Sequence, residues 1–384
     1  MIVCYFGTYS KGQGYSRNRV LIKGLKENGV TVKECHIDLW KGRLDKLEGI
    51  RDLKYSLSLI PRFIFVYMRL IMKLFAVGRY DVMIVGYAGH IDIFLAKILN
   101  FLRHKPLVFD AFLSLYDTAV NEFKVAGEGS WKAKIIWLLD KYSCLMADVV
   151  LLDTQAHIKY FVEEFNVPYK KFIAVYVGQN DEIFKPLELA KENNNFNVLF
   201  FANLTALHGT EYIIQAAKIL EPYKDIHFTL IGNGPLYDKI YNLAKEISLA
   251  NTTFIRDFLP YELLRQYIGS ADVCLGIFGT TEKARKVVPC KIYDCLAMAK
   301  PVITADSLAV REILTDRENI ILCQAGNAES IARAIILLRD NPDLRDKIAN
   351  QGYQLFCQKF TPKHIAERLI SDINVRLKKR LHHE

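Results

Sequence analysis

Three observations predict an α/β fold built from two Rossmann-like, doubly wound domains. Short β-branched apolar runs alternate with helical spacing from end to end, which is the rhythm of βαβ units and parallel sheets. The alternation restarts after a polar, turn-forming tract, Lys191-Glu-Asn-Asn-Asn195, that reads as a linker. The chain has 384 residues, 51% of them hydrophobic, enough for two domains of about 150–200 residues each.

Taken in order, Met1–Phe6, Asp81–Gly86, Leu107–Phe109 and Val149–Leu152 read as strands, and Tyr15–Asn28, Ile91–Phe101 and Trp131–Met146 as helices between them. Met1-Ile-Val-Cys-Tyr-Phe6 lacks a charged leader and a cleavage site, so it is expected to be a first strand rather than a signal peptide. The second half repeats the pattern through Val198–Phe201, Glu211–Leu220, His227–Ile231, Tyr237–Leu249, Thr252–Ile255 and Leu263–Ser270. Ala271–Ile277 and Pro301–Ala305 follow as strands. The expected domains are 1–180 and 181–361, with 362–384 a basic amphipathic helix that packs back on the first.

The formal net charge of +9 calls for an acidic partner. No zinc-finger spacing or RNA-binding aromatic signature is present, which argues against nucleic acid. Eight cysteines occur without CxxC pairing, and Cys4, Cys274 and Cys295 fall inside apolar runs, as reduced core thiols of a cytoplasmic protein do. Leu59–Val77 is long and apolar but carries Arg62, Arg69 and Lys73. Each such cation costs about 2.5–3.5 kcal/mol at a bilayer centre, so the segment is not expected to span. It suits either the interface of an anionic membrane, as on the inner face of the cell membrane, or a helix packed on the sheet with its cations reaching to water.

The densest functional signal is Gly279-Thr-Thr-Glu-Lys283-Ala-Arg285-Lys286-Val-Val-Pro289-Cys-Lys291. It follows a buried strand, and Pro289 with the Ile292/Cys295/Leu296/Ala299 spacing marks a helix start. Lys283, Arg285, Lys286 and Lys291 would crowd the positive end of that helix, where each misplaced cation costs about 0.3–1 kcal/mol. At the carboxyl end of a parallel strand, where open α/β sheets bind ligands, such a loop reads as a phosphate site.

Three further loops follow strands: Asn203-Leu-Thr205-Ala-Leu-His208-Gly209, Gly232-Asn233-Gly234-Pro235, and the turn after Thr252–Ile255 at Asp257 and Pro260. The glycines after Ile231 would let a ligand approach the backbone. In the first half, Gly12, Gly14 and Arg17 follow the first strand and offer a second phosphate contact.

These residues together resemble glycosyltransferase family 4, the GT-B fold of two Rossmann domains. The resemblance rests on Ala202-Asn-Leu followed by His208-Gly209, Gly232-Asn-Gly-Pro-Leu236, Ser270-Ala-Asp-Val273 and Tyr293-Asp-Cys-Leu-Ala-Met-Ala-Lys-Pro-Val302. Tyr5-Phe-Gly-Thr-Tyr9, Ser16-Arg-Asn18, Val85-Gly-Tyr-Ala-Gly-His90 and Val108–Thr118 resemble a divergent, uncharacterised branch. It implies a hexosyl-type transferase that moves a sugar from a nucleotide-sugar, a substrate rather than a cofactor, to an acceptor in an interdomain cleft. It also implies retention at the anomeric carbon. The sequence offers no Asp-x-Asp to carry a metal, so preorganised cations and helix-end N–H groups are expected to take the leaving charge. The acceptor is expected among lipid-linked or cell-surface polymer glycans.

The second glutamate of the family's Glu-x7-Glu motif falls on Asp294, which keeps a carboxylate for the ribose hydroxyls. The first falls on Lys286, and the arginine and lysine that usually grip the diphosphate fall on Asn203 and His208. Phosphate neutralisation is therefore expected to have moved to Lys291 and one of Lys283, Arg285 or Lys286. Asp110, Asp117 and His90 are candidates to orient the acceptor hydroxyl, with Asp153 and His157 on the same rim. The broken motif positions leave two alternatives: a catalytically silent nucleotide-sugar binding protein, or a sugar-nucleotide epimerase of the same fold.

Overall fold

The computed structural model describes residues 1–12, 16–39, 59–189 and 195–381, with side chains as far as Arg376. The chain divides into two compact units. The first joins Met1–Val177 to Pro362–Glu384, and the second is Gly178–Thr361.

The first unit is a six-stranded parallel sheet in the order β2-β1-β3-β4-β5-β6. Its strands are β1 (Ile2–Gly7), β2 (Thr31–His36), β3 (Val82–Val85), β4 (Leu107–Phe112), β5 (Val149–Leu152) and β6 (Phe172–Ala174). Its helices are α1 (Ser16–Glu27), α2 (Ile60–Val77), α3 (Asp92–Phe101), α4 (Trp131–Met146) and α5 (Gln155–Phe165). β3, β4 and β5 are buried along their whole length, which is why they read as continuous apolar runs rather than alternating ones. Thr154, two residues past β5, caps α5 by accepting the His157 N–H at 3.1 Å.

The second unit is a six-stranded parallel sheet in the order β12-β11-β10-β7-β8-β9. Its strands are β7 (Phe196–Asn203), β8 (Ile226–Asn233), β9 (Thr252–Ile255), β10 (Val273–Leu275), β11 (Val302–Ala305) and β12 (Ile321–Cys323). Helices α6 (Thr210–Ile219), α7 (Tyr237–Glu246) and α8 (Tyr261–Ser270) follow the first three strands. After β10 come α9 (Glu282–Lys286) and α10 (Cys290–Ala297). α11 (Leu308–Arg311), α12 (Ala328–Asp340) and α13 (Pro342–Lys359) complete the unit. Phe200, Phe228, Ile213, Leu275 and Ile335 meet in its core.

The last helix, α14 (Pro362–Leu381), belongs to the first unit and packs along α1. Gly24 makes the contact possible, because a Cβ there would run into the Pro362 carbonyl. Asn28 Nδ2 donates to the Lys363 carbonyl at 2.8 Å and extends the same seam. All eight cysteines are free, and Cys4, Cys35, Cys144, Cys274, Cys295 and Cys323 are buried. Burial pushes the Cys4 and Cys35 thiols up to about 12, so both are neutral packing groups.

Gly24→Ala is expected to cost about 1–3 kcal/mol by overpacking the α1–α14 seam. The check is a lower melting temperature together with earlier proteolytic cleavage within α14 than in the unaltered chain.

Candidate functional site

The second unit gathers its candidate residues where β7, β8 and β10 end. Beyond β7 the chain makes a tight 3-10 turn, Ala206–His208, in which the Thr205 hydroxyl and His208 Nδ1 lie 3.1 Å apart. Gly209 then takes φ 59° and starts α6. This turn is pressed backbone to backbone against the segment after β10. A Cβ on Gly209 would sit 2.5 Å from the Gly279 nitrogen, and one on Gly279 would collide with the Ala206 carbonyl. Phe278 N–H donates to the His208 carbonyl at 3.0 Å, so the two loops form one surface.

The Gly232-Asn-Gly turn packs against the end of β7. Gly232 and Gly234 have φ of 144° and 140°, and the place a Cβ would take at each is filled by the β7 loop. A Cβ on Gly234 would meet Asn203 Oδ1 at 2.7 Å, and one on Gly232 the Ala202 carbonyl. Leu204 N–H donates to the Asn233 carbonyl at 2.7 Å, and Asn233 Oδ1 accepts from the Gly234 N–H at 2.8 Å. Pro235 follows directly, and α7 starts two residues later. The glycines are there so that two strand-end loops can touch.

The sequence predicts four cations against one helix start; the structure divides them. Lys283, Arg285 and Lys286 lie in α9, five residues long, where they close the last turn and are favoured by the macrodipole. Thr281 caps that helix by accepting the Ala284 N–H at 3.2 Å, and Arg285 pairs with Glu282 at 3.2 Å. Only Lys291 falls in the first turn of α10, directly after Pro289. A helix of one turn leaves no apolar period in the sequence, so 279–289 reads there as a loop.

Lys291 is the unusual cation. It is buried, its Nζ donates to the Gly276 carbonyl at 3.3 Å, and it lies 3.9 Å from the centre of the Phe200 ring. Among the described residues no carboxylate forms an ion pair with it. Burial brings its pKa down to about 7, against the opposing pull of Cys295 and Asp294. The apolar wall disfavours its charged form, which an arriving anion would stabilise. One turn on, the buried Asp294 carboxylate accepts a hydrogen bond from Gln179 Nε2. Arg285 instead lines a cavity of about 140 Å³ with Gly279, Thr280, Asp306 and Ser307.

The first-unit candidates are interior groups. Arg17 is 2% exposed and directs Nε and Nη2 at Asp110, with contacts of 3.0 Å, while Nη1 donates to the Val175 and Tyr176 carbonyls. Burial opposes the charge, but Asp110 outweighs it and raises the guanidinium pKa. The phosphate contact expected of Arg17 and the acceptor contact expected of Asp110 are thus replaced by a buried ion pair. His90 is 2% exposed, with Nε2 3.2 Å from Asp140 and its ring edge-on to Phe109. Asp117 is buried and accepts from Asn121 Nδ2 at 2.9 Å. His157 Nδ1 and Asp153 pair at 2.6 Å. Gly12 faces open space, and Gly14 lies outside the described residues.

Two residues of the second-unit site are absent from the sequence-based expectation. Gln179 meets Asp294 across 115 positions, a pairing that no local pattern announces. Thr210, first in α6, buries a hydroxyl with no hydrogen-bond partner, beside helix-end N–H groups. Its position after Gly209 is the one local signal, since a helix N-terminus favours an anion. Among the described residues no cluster of three or more His, Cys, Asp or Glu could hold a metal.

Two doubly wound units, the second with an anion-ready rim at its strand ends, define a GT-B fold. Solved structures agree on the fold across nearly the whole chain. Anabaena Alr3699/HepE in complex with UDP-glucose is 15% identical, with a TM-score of 0.68, over 98% of this chain and 100% of that one. Sucrose-phosphate synthase from Thermosynechococcus elongatus is 15% identical, with a TM-score of 0.71, over 100% and 99%. Residues 180–355 match the family model of glycosyl transferases group 1. Alpha-D-kanosaminyltransferase of Streptomyces kanamyceticus is 24% identical over 173 residues, 45% of this chain and 44% of that protein. The chain thus spans about half the length of the curated relatives it matches.

Arg17→Met leaves Asp110 buried without its partner and is expected to cost about 3–5 kcal/mol. Urea unfolding should show the loss, and Arg17→Met with Asp110→Leu should recover much of it.

Proposed function

We propose that the chain is a glycosyltransferase that takes a nucleotide-sugar in its second unit and transfers the sugar to an acceptor hydroxyl with retention. The observation that carries this reading is Lys291, a buried lysine without a carboxylate partner, held at the strand end beside the fused β7 and β10 loops. Transfer breaks the bond between the anomeric carbon and the terminal phosphate oxygen and forms one to the acceptor oxygen. The acceptor proton passes to the departing diphosphate.

In this reading the released charge falls on Lys291, the α6 N–H groups and the Thr210 hydroxyl, without a metal. Lys283 and Lys286 contribute from α9, while Asn203 and His208 line the rim as neutral groups. Asp294 exchanges its Gln179 hydrogen bond for the ribose hydroxyls. The UDP-glucose held by Anabaena Alr3699/HepE favours a uridine diphosphate sugar as the first donor to examine. The silent-binder reading draws on one observation: His208 Nδ1, at the position of a family cation, lies against Thr205 rather than open to a ligand.

Lys291→Met is expected to lower turnover by about 10²–10³-fold, as loss of one such charge donor does. The readout is donor-dependent release of nucleoside diphosphate across an acceptor panel; donor binding without release in the unaltered chain selects the silent reading. The pH dependence has a defined sign. Below pH 7 Lys291 is already charged, whereas above it binding must take up a proton. Donor affinity should therefore fall as pH rises through about 7, by up to tenfold per unit. Lys291→Met should flatten that slope in calorimetric titrations.

A further inference from the structure

Helix α2 is apolar on two sides. Val66, Leu70 and Leu74 face the first unit's core, as one stripe of a surface helix should. Ile64, Phe65, Met68, Met72 and Phe75 point the other way, at 57–71% exposure. Helix α3 runs beside it: the Tyr67 hydroxyl donates to Asp92 at 2.6 Å near one end, and Arg103 donates to the Gly78 carbonyl at 2.7 Å at the other. The end of α3 continues the patch with Ile98, Phe101 and Leu102, at 69%, 69% and 82% exposure. This is larger than the scattered apolar residues of an ordinary surface.

The charges on α2 itself have one sign, and one exposed carboxylate, Asp38, shares a cavity with Arg69 and Lys73 at its edge. From Leu59 to Tyr80 the chain contains Arg62, Arg69, Lys73 and Arg79 and no Asp or Glu. Arg103 and Lys105 follow α3, whose one carboxylate, Asp92, is buried and bonded to Thr8 and Tyr67. No helix among the described residues is long and apolar enough to cross a membrane.

We propose that the outer face of α2 and the end of α3 docks on an anionic lipid bilayer, with α2 lying in the interface plane. Its apolar side chains enter the headgroup–acyl boundary, and the long cationic stems reach back to lipid phosphates. A second copy of the chain fits this face poorly, because a two-fold contact would set these cations against their own images. Docking would present lipid-anchored acceptors to the enzyme. The proposal stands apart from the donor site, since none of its residues belongs to the second unit.

The test uses the full chain with vesicles of phosphatidylcholine alone and with phosphatidylglycerol added. Expected is co-sedimentation with the anionic vesicles only, weakened by salt, and a loss of about tenfold or more in Phe65→Glu/Met72→Glu. Arg69→Gln/Lys73→Gln should lose the salt-sensitive part without placing a charge on the apolar face. Matching melting temperatures exclude misfolding as the cause. The proposal is overturned if the unaltered chain ignores anionic vesicles, if both variants bind as it does, or if the substitutions instead dissolve a dimer. Binding of uridine diphosphate by the same preparations reports on the donor site separately: retained binding in a variant that loses vesicles, or absent binding in a chain that keeps them, distinguishes the two readings.

Discussion

The candidate site depends on two loops that touch through glycine. Gly209 and Gly279 let the ends of β7 and β10 approach with no side chain between them, which neither segment could do with a Cβ. Once that approach is fixed, the start of α6, the Phe200 ring and the first turn of α10 hold their relative places. The burial of Lys291 follows from this geometry. Its stem runs under an aromatic wall that β7 supplies, and its Nζ donates to the Gly276 carbonyl just past β10. A lysine in such a place has lost hydration without gaining a counter-charge, so the folded unit carries a cost that an anionic ligand would relieve.

The first unit solves the opposite problem. Its buried Arg17 and Asp110 match each other, whereas the buried histidines are only partly satisfied: both ring nitrogens of His90 and Nε2 of His157 have no hydrogen-bond partner among the described residues. Groups satisfied inside a sheet are poor candidates for chemistry and good ones for fixing loop positions. Arg17 ties the start of α1 to the end of β4 and to the chain after β6, three segments far apart in sequence. The contrast between the buried Arg17–Asp110 ion pair and a buried lysine with no carboxylate partner among the described residues is what points to the second unit.

Much of the sheet architecture was legible because buried parallel strands are unmixed apolar runs. β3, β5, β7 and β11 stand out for that reason, whereas the tract 191–195 that reads as a linker falls within the second unit, with 191–194 outside the described residues. β2 was not legible: Thr-Val-Lys-Glu-Cys-His is a half-buried edge strand whose charged residues mask it. β6 and β12 are three residues each, shorter than any periodicity can register. At the site, glycine turns and the Pro289 helix start were visible, but pairings were not. Arg17 with Asp110 and Gln179 with Asp294 join residues 93 and 115 positions apart, distances over which sequence spacing carries no geometric information. The short α9 went unseen because one helical turn is decided by its Thr281 cap rather than by a period.

The chain leaves the first unit at Val177 and returns to it at Pro362. During synthesis the groove on α1 around Gly24 therefore stays open until α14 has left the ribosome, directly after the second unit and long after the rest of the first. Completion of the earlier-made unit is thereby tied to successful synthesis of everything downstream, so a ribosome that stops early releases a first unit without its final helix. Joining the present ends and opening the chain near Thr361 would make that unit contiguous and remove the wait.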